Sequence, residues 1–192
     1  MNGCDEKNEA SRPDALGSRL LKARTVLITD TIDQEMAERV MGQLMVLDAE
    51  SHDPIRVMIT TPGGSIDAGF AIYDMMRFVA SQVITIGAGW VASMGVPILL
   101  AVDKEHRFAL PNTRFMLHQP AGGVGGQLQD IRIEAQEILK IRERINALVS
   151  EETGQDIEKV ARDCDRNFWM NAQEALDYGI VGGIIANTSD IT

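Results

Sequence analysis

The chain has 192 residues, 45% hydrophobic and 24% charged, which suits a single globular domain with a sizeable core. Its formal net charge of −10 argues against nucleic acid or an anionic membrane as a main partner. Two cysteines, Cys4 and Cys164, are too few for a disulfide framework and offer no CxxC pair for zinc, so no metal or cofactor is expected.

Residues 1–16 are polar and poor in large apolar groups, and are expected to be mobile. Their Asp5, Glu6, Glu9 and Asp14, with no apolar run, fit neither a signal peptide nor a transit peptide. No stretch approaches the length of a membrane span, so a cytoplasmic location with reduced thiols is the expectation. From Leu20 the pattern becomes regular. Val26-Leu27-Ile28 reads as a buried strand, and Thr31 with Gln34 reads as a capping-box start for a helix. Met36, Ala37, Val40, Leu44 and Leu47 share one face of that helix. Ile55, Val57 and Ile59 alternate as a second strand, ended by Pro62-Gly63-Gly64. Ser65 then caps a helix with the stripe Ala68, Ile72, Met75, Met76 and Val79.

Val83 to Ile86 is a third strand, Ser93 is expected to open a helix, and the apolar run Val96 to Val102 is a buried helix candidate. Arg107 to Leu110 and Arg114 to His118 are two more strands, separated by the turn formers Pro111 and Asn112. This strand–helix alternation predicts an α/β fold with a largely parallel sheet. The segment Ala121-Gly122-Gly123-Val124-Gly125-Gly126 suits a backbone that something else approaches closely. A long helix follows from Gln127 to Thr153, spanning about 39 Å at ~1.5 Å per residue, with Gly154 placed to end it. Its apolar stripe of Leu128, Ile131, Ala135, Ile138, Ile145 and Leu148 is narrow. Such a helix either projects to meet a copy of itself or lies flat on one subunit. A short helix near Asp156 to Asp163, a helix opened by Asn171 with Glu174 and stopped by Gly179, and an apolar strand from Ile180 to Ile185 complete the chain.

Gly89-Trp90-Val91-Ala92-Ser93-Met94-Gly95 places a serine on a turn after an apolar strand, and Met116-Leu117-His118-Gln119-Pro120 places a histidine at the end of another. A serine hydroxyl becomes a useful nucleophile when a neighbouring base takes its proton. Backbone N–H groups at the strand-to-helix turns near Met94 and at Pro62-Gly63-Gly64 can meet a developing oxyanion. His52 and His106 read as loop residues without function.

Pro62-Gly63-Gly64-Ser65, Ala92-Ser93-Met94-Gly95, His118-Gln119-Pro120 and Arg162-Asp163-Cys164-Asp165-Arg166-Asn167 resemble, in order and spacing, the ClpP family of Clp protease proteolytic subunits. The resemblance runs from Ser18 to Ile185. It implies the α/β superhelix of βα units shared by ClpP and crotonases, a head of residues 17–119 and 155–192, and a projecting handle of 120–154. It also implies a serine endopeptidase cleaving unfolded polypeptides. Ser93 would be the nucleophile, His118 the general base, Asn167 the group that orients it, and Gly64 with Met94 the oxyanion donors. Ile66 and Ala121, Gly122 and Gly123 would flank an extended substrate. Asp165 and Arg166 would form an inter-ring contact in two stacked heptameric rings served by an AAA+ unfoldase.

Three departures follow. Asn167 stands where the family usually has aspartate, so no negative charge supports a histidine cation. In another serine protease the Asp-to-Asn exchange costs about 10⁴ in kcat, roughly 5.5 kcal/mol at ~1.4 per decade. Weak or conditional activity is therefore expected, with a structural or regulatory subunit of a mixed barrel as the alternative. A crotonase-type acyl-CoA enzyme, which shares the oxyanion architecture, is a third reading. The polar stretch from Asn2 to Pro13 differs from the family's apolar and Arg/Tyr-containing N-terminus. Met58 replaces an aromatic common in the family's ATPase docking pocket, which Phe78 and Leu44 would keep apolar.

Overall fold

In the computed structural model of the chain, the described residues are 13–120 and 126–191. Alternation builds the sheet. Strand β2 (Ile55–Thr61) puts Ile55, Val57 and Ile59 wholly out of solvent on one face and Met58 on the other. β1 (Thr25–Thr29) and β3 (Val83–Ala92) flank it in parallel, β4 (Arg107–Ala109) follows β3, and β7 (Gly183–Ile184) completes that path. β5 (Arg114–Leu117) pairs parallel with the far end of β3 and antiparallel with β6 (Phe168–Asn171). The expected α/β architecture with a largely parallel sheet is observed.

Helices α2 (Gln34–Glu50), α3 (Ile66–Phe78) and the short α4 (Gly95–Leu99) pack on the Val57 face, around the main core. The stripe Met36, Ala37, Val40, Leu44 and Leu47 is buried, as its helical spacing predicts. Leu44 therefore lies inside the core and does not line a docking surface, whereas Phe78 is 80% exposed. On the opposite sheet face Ile84, Ile86 and Ile185 gather a smaller cluster, which no helical side chain joins among the described residues.

Several elements differ from expectation for local reasons. Asp33, not Thr31, caps α2, its carboxylate accepting from Met36 N–H at 2.8 Å. The chain before it is held extended, because Ile32 donates to Gly63 O and accepts from Ser65 N–H. Ser93 does not open a helix: it sits at φ 54°, Met94 is the cap, and α4, Gly95–Leu99, ends three residues short of Val102. The last strand is reduced to two residues because Ile180 N–H is used by Ala175 O at the end of α7 (Ala172–Tyr178), and Gly182 is pressed against Lys104 O. Strand β6 and a helix α1 (Pro13–Lys22) were not anticipated. The expectation of mobility for 1–16 otherwise falls outside the described residues.

The long helix α5 (Leu128–Thr153) ends at Gly154, which adopts φ 74°. Its C-terminal half is embedded through Ile145, Asn146 and Val149, while Leu128 and Leu139 on the N-terminal half are 79% and 56% exposed. It projects rather than lying flat. Its root is fixed by Arg107, 1% exposed, which donates to Val102 O at 2.6 Å, to Glu152 O at 2.8 Å and to the Glu152 carboxylate. Removing the carboxylate leaves a buried cation without its counter-charge. We predict that Glu152→Ala lowers stability by about 3 kcal/mol, measured by urea unfolding; a loss within the ordinary surface range would show that the backbone carbonyls suffice.

Candidate active site

The site is made by two strand-to-helix turns that meet. The first follows β2: Thr61 Oγ1 accepts from Gly63 N–H at 3.0 Å, and Ser65 caps α3 by accepting from Ala68 N–H at 3.3 Å. The second follows β3, where Ser93 N–H donates to Met116 O of β5 at 2.9 Å. There is no room for a side chain between them. A Cβ on Gly63 would lie 2.5 Å from Ser93 Cβ and 2.9 Å from Ser93 Oγ, and one on Gly64 would lie 2.1 Å from Ile32 O. Gly95 likewise lets α4 touch Thr61, at 2.5 Å from a built Cβ.

His118, at the end of β5, brings Nε2 to 2.8 Å from Ser93 Oγ. Pairing of β3 with β5 sets this meeting, since Ala92 and Met116 are direct partners one and two residues from the reacting groups. Ser93 occupies the left-handed region at φ 54°, a conformation that costs of order 1 kcal/mol for a side chain with a Cβ. Among the described residues the N–H groups of Gly64 and Met94 have no hydrogen-bond partner. Both belong to the turns that hold Ser93.

Beside Ser93 and His118 is a small apolar recess lined by Ile66, Met94, Pro97, Leu117, Ile145 and Cys164. Burial, reinforced by the Asp163 carboxylate, pushes the Cys164 thiol up to about 11. The folded thiol keeps its proton where an unfolded one, at 9.0, begins to lose it. Its contribution to stability is thus complete below that pH and is lost as the pH climbs through about 11.

The expected third member is not assembled. Asn167 is exposed, and among the described residues no hydrogen bond joins it to His118. Its loop is held through Asp165 instead: Gln119 Nε2, next to His118 in the chain, donates to Asp165 O at 2.9 Å, and Arg142 of α5 lies 3.6 Å from the Asp165 carboxylate. Asp165 and Arg166 face each other at 3.9 Å within the chain. Ser93, His118, Met94, Ile66 and the Gly63–Gly64 turn are brought together as expected; Ala121, Gly122 and Gly123 lie outside the described residues. The Met116 carbonyl, Gln119 and Cys164 escaped sequence reasoning. The neighbouring Gln in His118-Gln119-Pro120 was the available signal for one of them.

A family model described as Clp protease matches residues 7–188. The chain belongs to the Clp protease family. Among relatives of this Clp protease family member is ATP-dependent Clp protease proteolytic subunit 3 of Rhizobium meliloti, 46% identical over 195 residues and 100% of both chains. Another is ATP-dependent Clp protease proteolytic subunit 2 of Gluconobacter oxydans, 48% identical over 189 residues, covering 97% of this chain and 85% of that protein. A solved structure of an asparagine-to-aspartate mutant of ClpP1 from Listeria monocytogenes matches with a TM-score of 0.86 and 49% identity, over 92% of this chain and 99% of that one. The ClpP fold expected from the sequence is thus the fold observed. Membership also sets aside the acyl-CoA enzyme reading.

Two outcomes follow for this Clp protease site. Gly63→Ala should displace Ser93 and slow its reaction with a fluorophosphonate by ~100-fold, the scale of an ångström-sized misplacement, with far-UV melting as the folding control; an unchanged rate would mean the turns can separate freely. Iodoacetamide at about pH 8 should leave Cys164 unmodified in the folded protein and modify it after unfolding in urea, as read by peptide mass spectrometry. Modification of the folded chain would contradict the buried, protonated thiol.

Proposed function

We propose that this chain is a serine endopeptidase subunit that hydrolyses unfolded polypeptides and short peptides. The 2.8 Å contact between His118 Nε2 and Ser93 Oγ, beside two unpartnered backbone donors, carries the reading. Ser93 Oγ attacks the peptide carbonyl as His118 takes its proton, and the oxyanion is received by the Gly64 and Met94 N–H groups. Collapse passes that proton to the leaving amine. Water then attacks the acyl-enzyme, with His118 again as the base. An extended substrate lies between Ile66 and the segment Ala121, Gly122 and Gly123, held through its backbone, while the apolar recess takes one side chain.

Activity of the isolated subunit is weak. Asn167 carries no charge to stabilise the His118 cation, and the bonds that hold its loop run to the Asp165 carbonyl and carboxylate rather than from Asn167 to the imidazole. The projecting half of α5 supplies a handle by which two heptameric rings stack. An inter-ring contact at Asp165 and Arg166 would draw the loop of residue 167 toward His118, making activity conditional on assembly. The polypeptide would be delivered by an AAA+ unfoldase, since relatives carry the name ATP-dependent. A second reading, favoured by Asn167, is a mainly structural or regulatory subunit of a barrel shared with an aspartate-bearing paralogue.

Fluorophosphonate labelling of the wild type, Ser93→Ala and Asn167→Asp tests this. Labelling should require Ser93 and rise by roughly 100-fold or more in Asn167→Asp, within the ~10⁴ ceiling known for the reverse exchange. Labelling that survives Ser93→Ala removes Ser93 as nucleophile. If neither wild type nor Asn167→Asp reacts, and Ser93→Ala leaves a mixed barrel fully active, the structural reading replaces the catalytic one.

A further inference from the structure

Gly69 sits inside α3, buried, with ordinary helical backbone and its N–H bonded to Ser65 O at 3.0 Å. Glycine weakens a helix there relative to alanine. What it supplies is room. A Cβ built on Gly69 would lie 2.2 Å from Met94 Cγ, 2.8 Å from Met94 Cε and 3.1 Å from Met94 Sδ. Because Cγ is the first atom beyond Met94 Cβ, turning the tip of that side chain does not relieve the contact.

Met94 is 2% exposed and faces two ways. Its thioether fills the notch at Gly69, and it also walls the apolar recess beside Ser93 and His118. As it stands the recess offers about 20 Å³, room for a single water. A side chain of leucine size enters only if a wall yields. Ile66 and Ile145 are branched, Pro97 is a ring and Cys164 is short. Among the described lining residues Met94 alone is long, unbranched and able to refold within its space.

We propose that Gly69 determines specificity: by leaving α3 open to the Met94 thioether, it keeps that side chain out of the recess. It thereby sets how large a substrate side chain is accepted next to the cleaved bond. The inference rests on the peptidase reading above and adds to it the control of side-chain size. A methyl group at position 69 drives the thioether toward the recess. The Met94 backbone is held separately, since its carbonyl accepts from Ile98 N–H at 3.3 Å and Gly95 abuts Thr61. The effect therefore falls on the size of the recess and not on the oxyanion donor.

Two peptidyl phosphonate probes that differ only in the side chain next to phosphorus, methyl or isobutyl, are compared with a simple fluorophosphonate. The proteins are the full-length wild type, Gly69→Ala, Met94→Ala and the double variant, each also carrying Asn167→Asp. In Gly69→Ala the labelling rate for isobutyl relative to methyl should fall by about tenfold or more, the scale of one methylene in an apolar pocket. Met94→Ala alone should raise that ratio, and the double variant should recover at least the wild-type value. An unchanged ratio in Gly69→Ala overturns the proposal. So does equal slowing of all three probes, which would place the effect at the Met94 N–H. Where circular dichroism shows Gly69→Ala unfolded, Met94→Ala decides, and an unmoved ratio there is equally fatal. A Ser93 that takes the fluorophosphonate but neither peptidyl probe removes the recess as a substrate site, and the proposal with it. If no form labels at Ser93 with any probe, the peptidase reading itself falls; labelling with an unmoved ratio removes this inference alone.

Discussion

The close approach of two glycine-bearing turns is the constraint on which the rest of the molecule depends. Ser93 reaches His118 because the turn after β2 offers no Cβ at Gly63 to push it away. That turn is itself locked by Ile32, whose backbone bonds to both Gly63 and Ser65. The extended entry to α2, the capping of α3 and the left-handed backbone of Ser93 are therefore solutions to one packing problem. Steric contact within a close-packed interior sets it, and interiors of this kind do not deform continuously.

A second fixed point lies at the root of α5. Arg107 is buried where β4, the loop after α4 and the end of α5 converge, and it satisfies carbonyls from two of them. From this root the helix carries Ile145 into the recess beside Ser93 and Arg142 toward Asp165. Helix and site are thus joined at this root, whereas the first half of α5 is largely exposed and carries, among the described residues, the exposed Glu137–Lys140 ion pair as local support.

Much of this was legible because it follows from local chemistry. The buried stripe of α2, the alternation in β2, the Ser65 and Asn171 caps and the Gly154 and Gly179 stops each rest on residues close together in sequence. The Ser93–His118 pair was reachable through two spaced motifs. What failed depended on distant partners. Thr31 looked like a cap until the bridge from Ile32 to Gly64 held its neighbour extended. β6 owes its existence to β5, with which it pairs antiparallel, and Phe168-Trp169-Met170 alone does not announce it. Arg107 shows no sign in sequence that its charge is buried. The position of the Asn167 loop is set by Gln119 and Arg142, contacts that cross 46 residues in one case and bridge separate elements in the other.

The absence of a bond between Asn167 and His118 bears on how such a chain can change over generations. Asn167 is exposed and makes no bond to His118, so exchanging its amide for a carboxylate is close to invisible to stability. A population could carry either form without the burden of misfolded protein. Under the proposed function, the difference between the two forms falls on turnover and not on the fold.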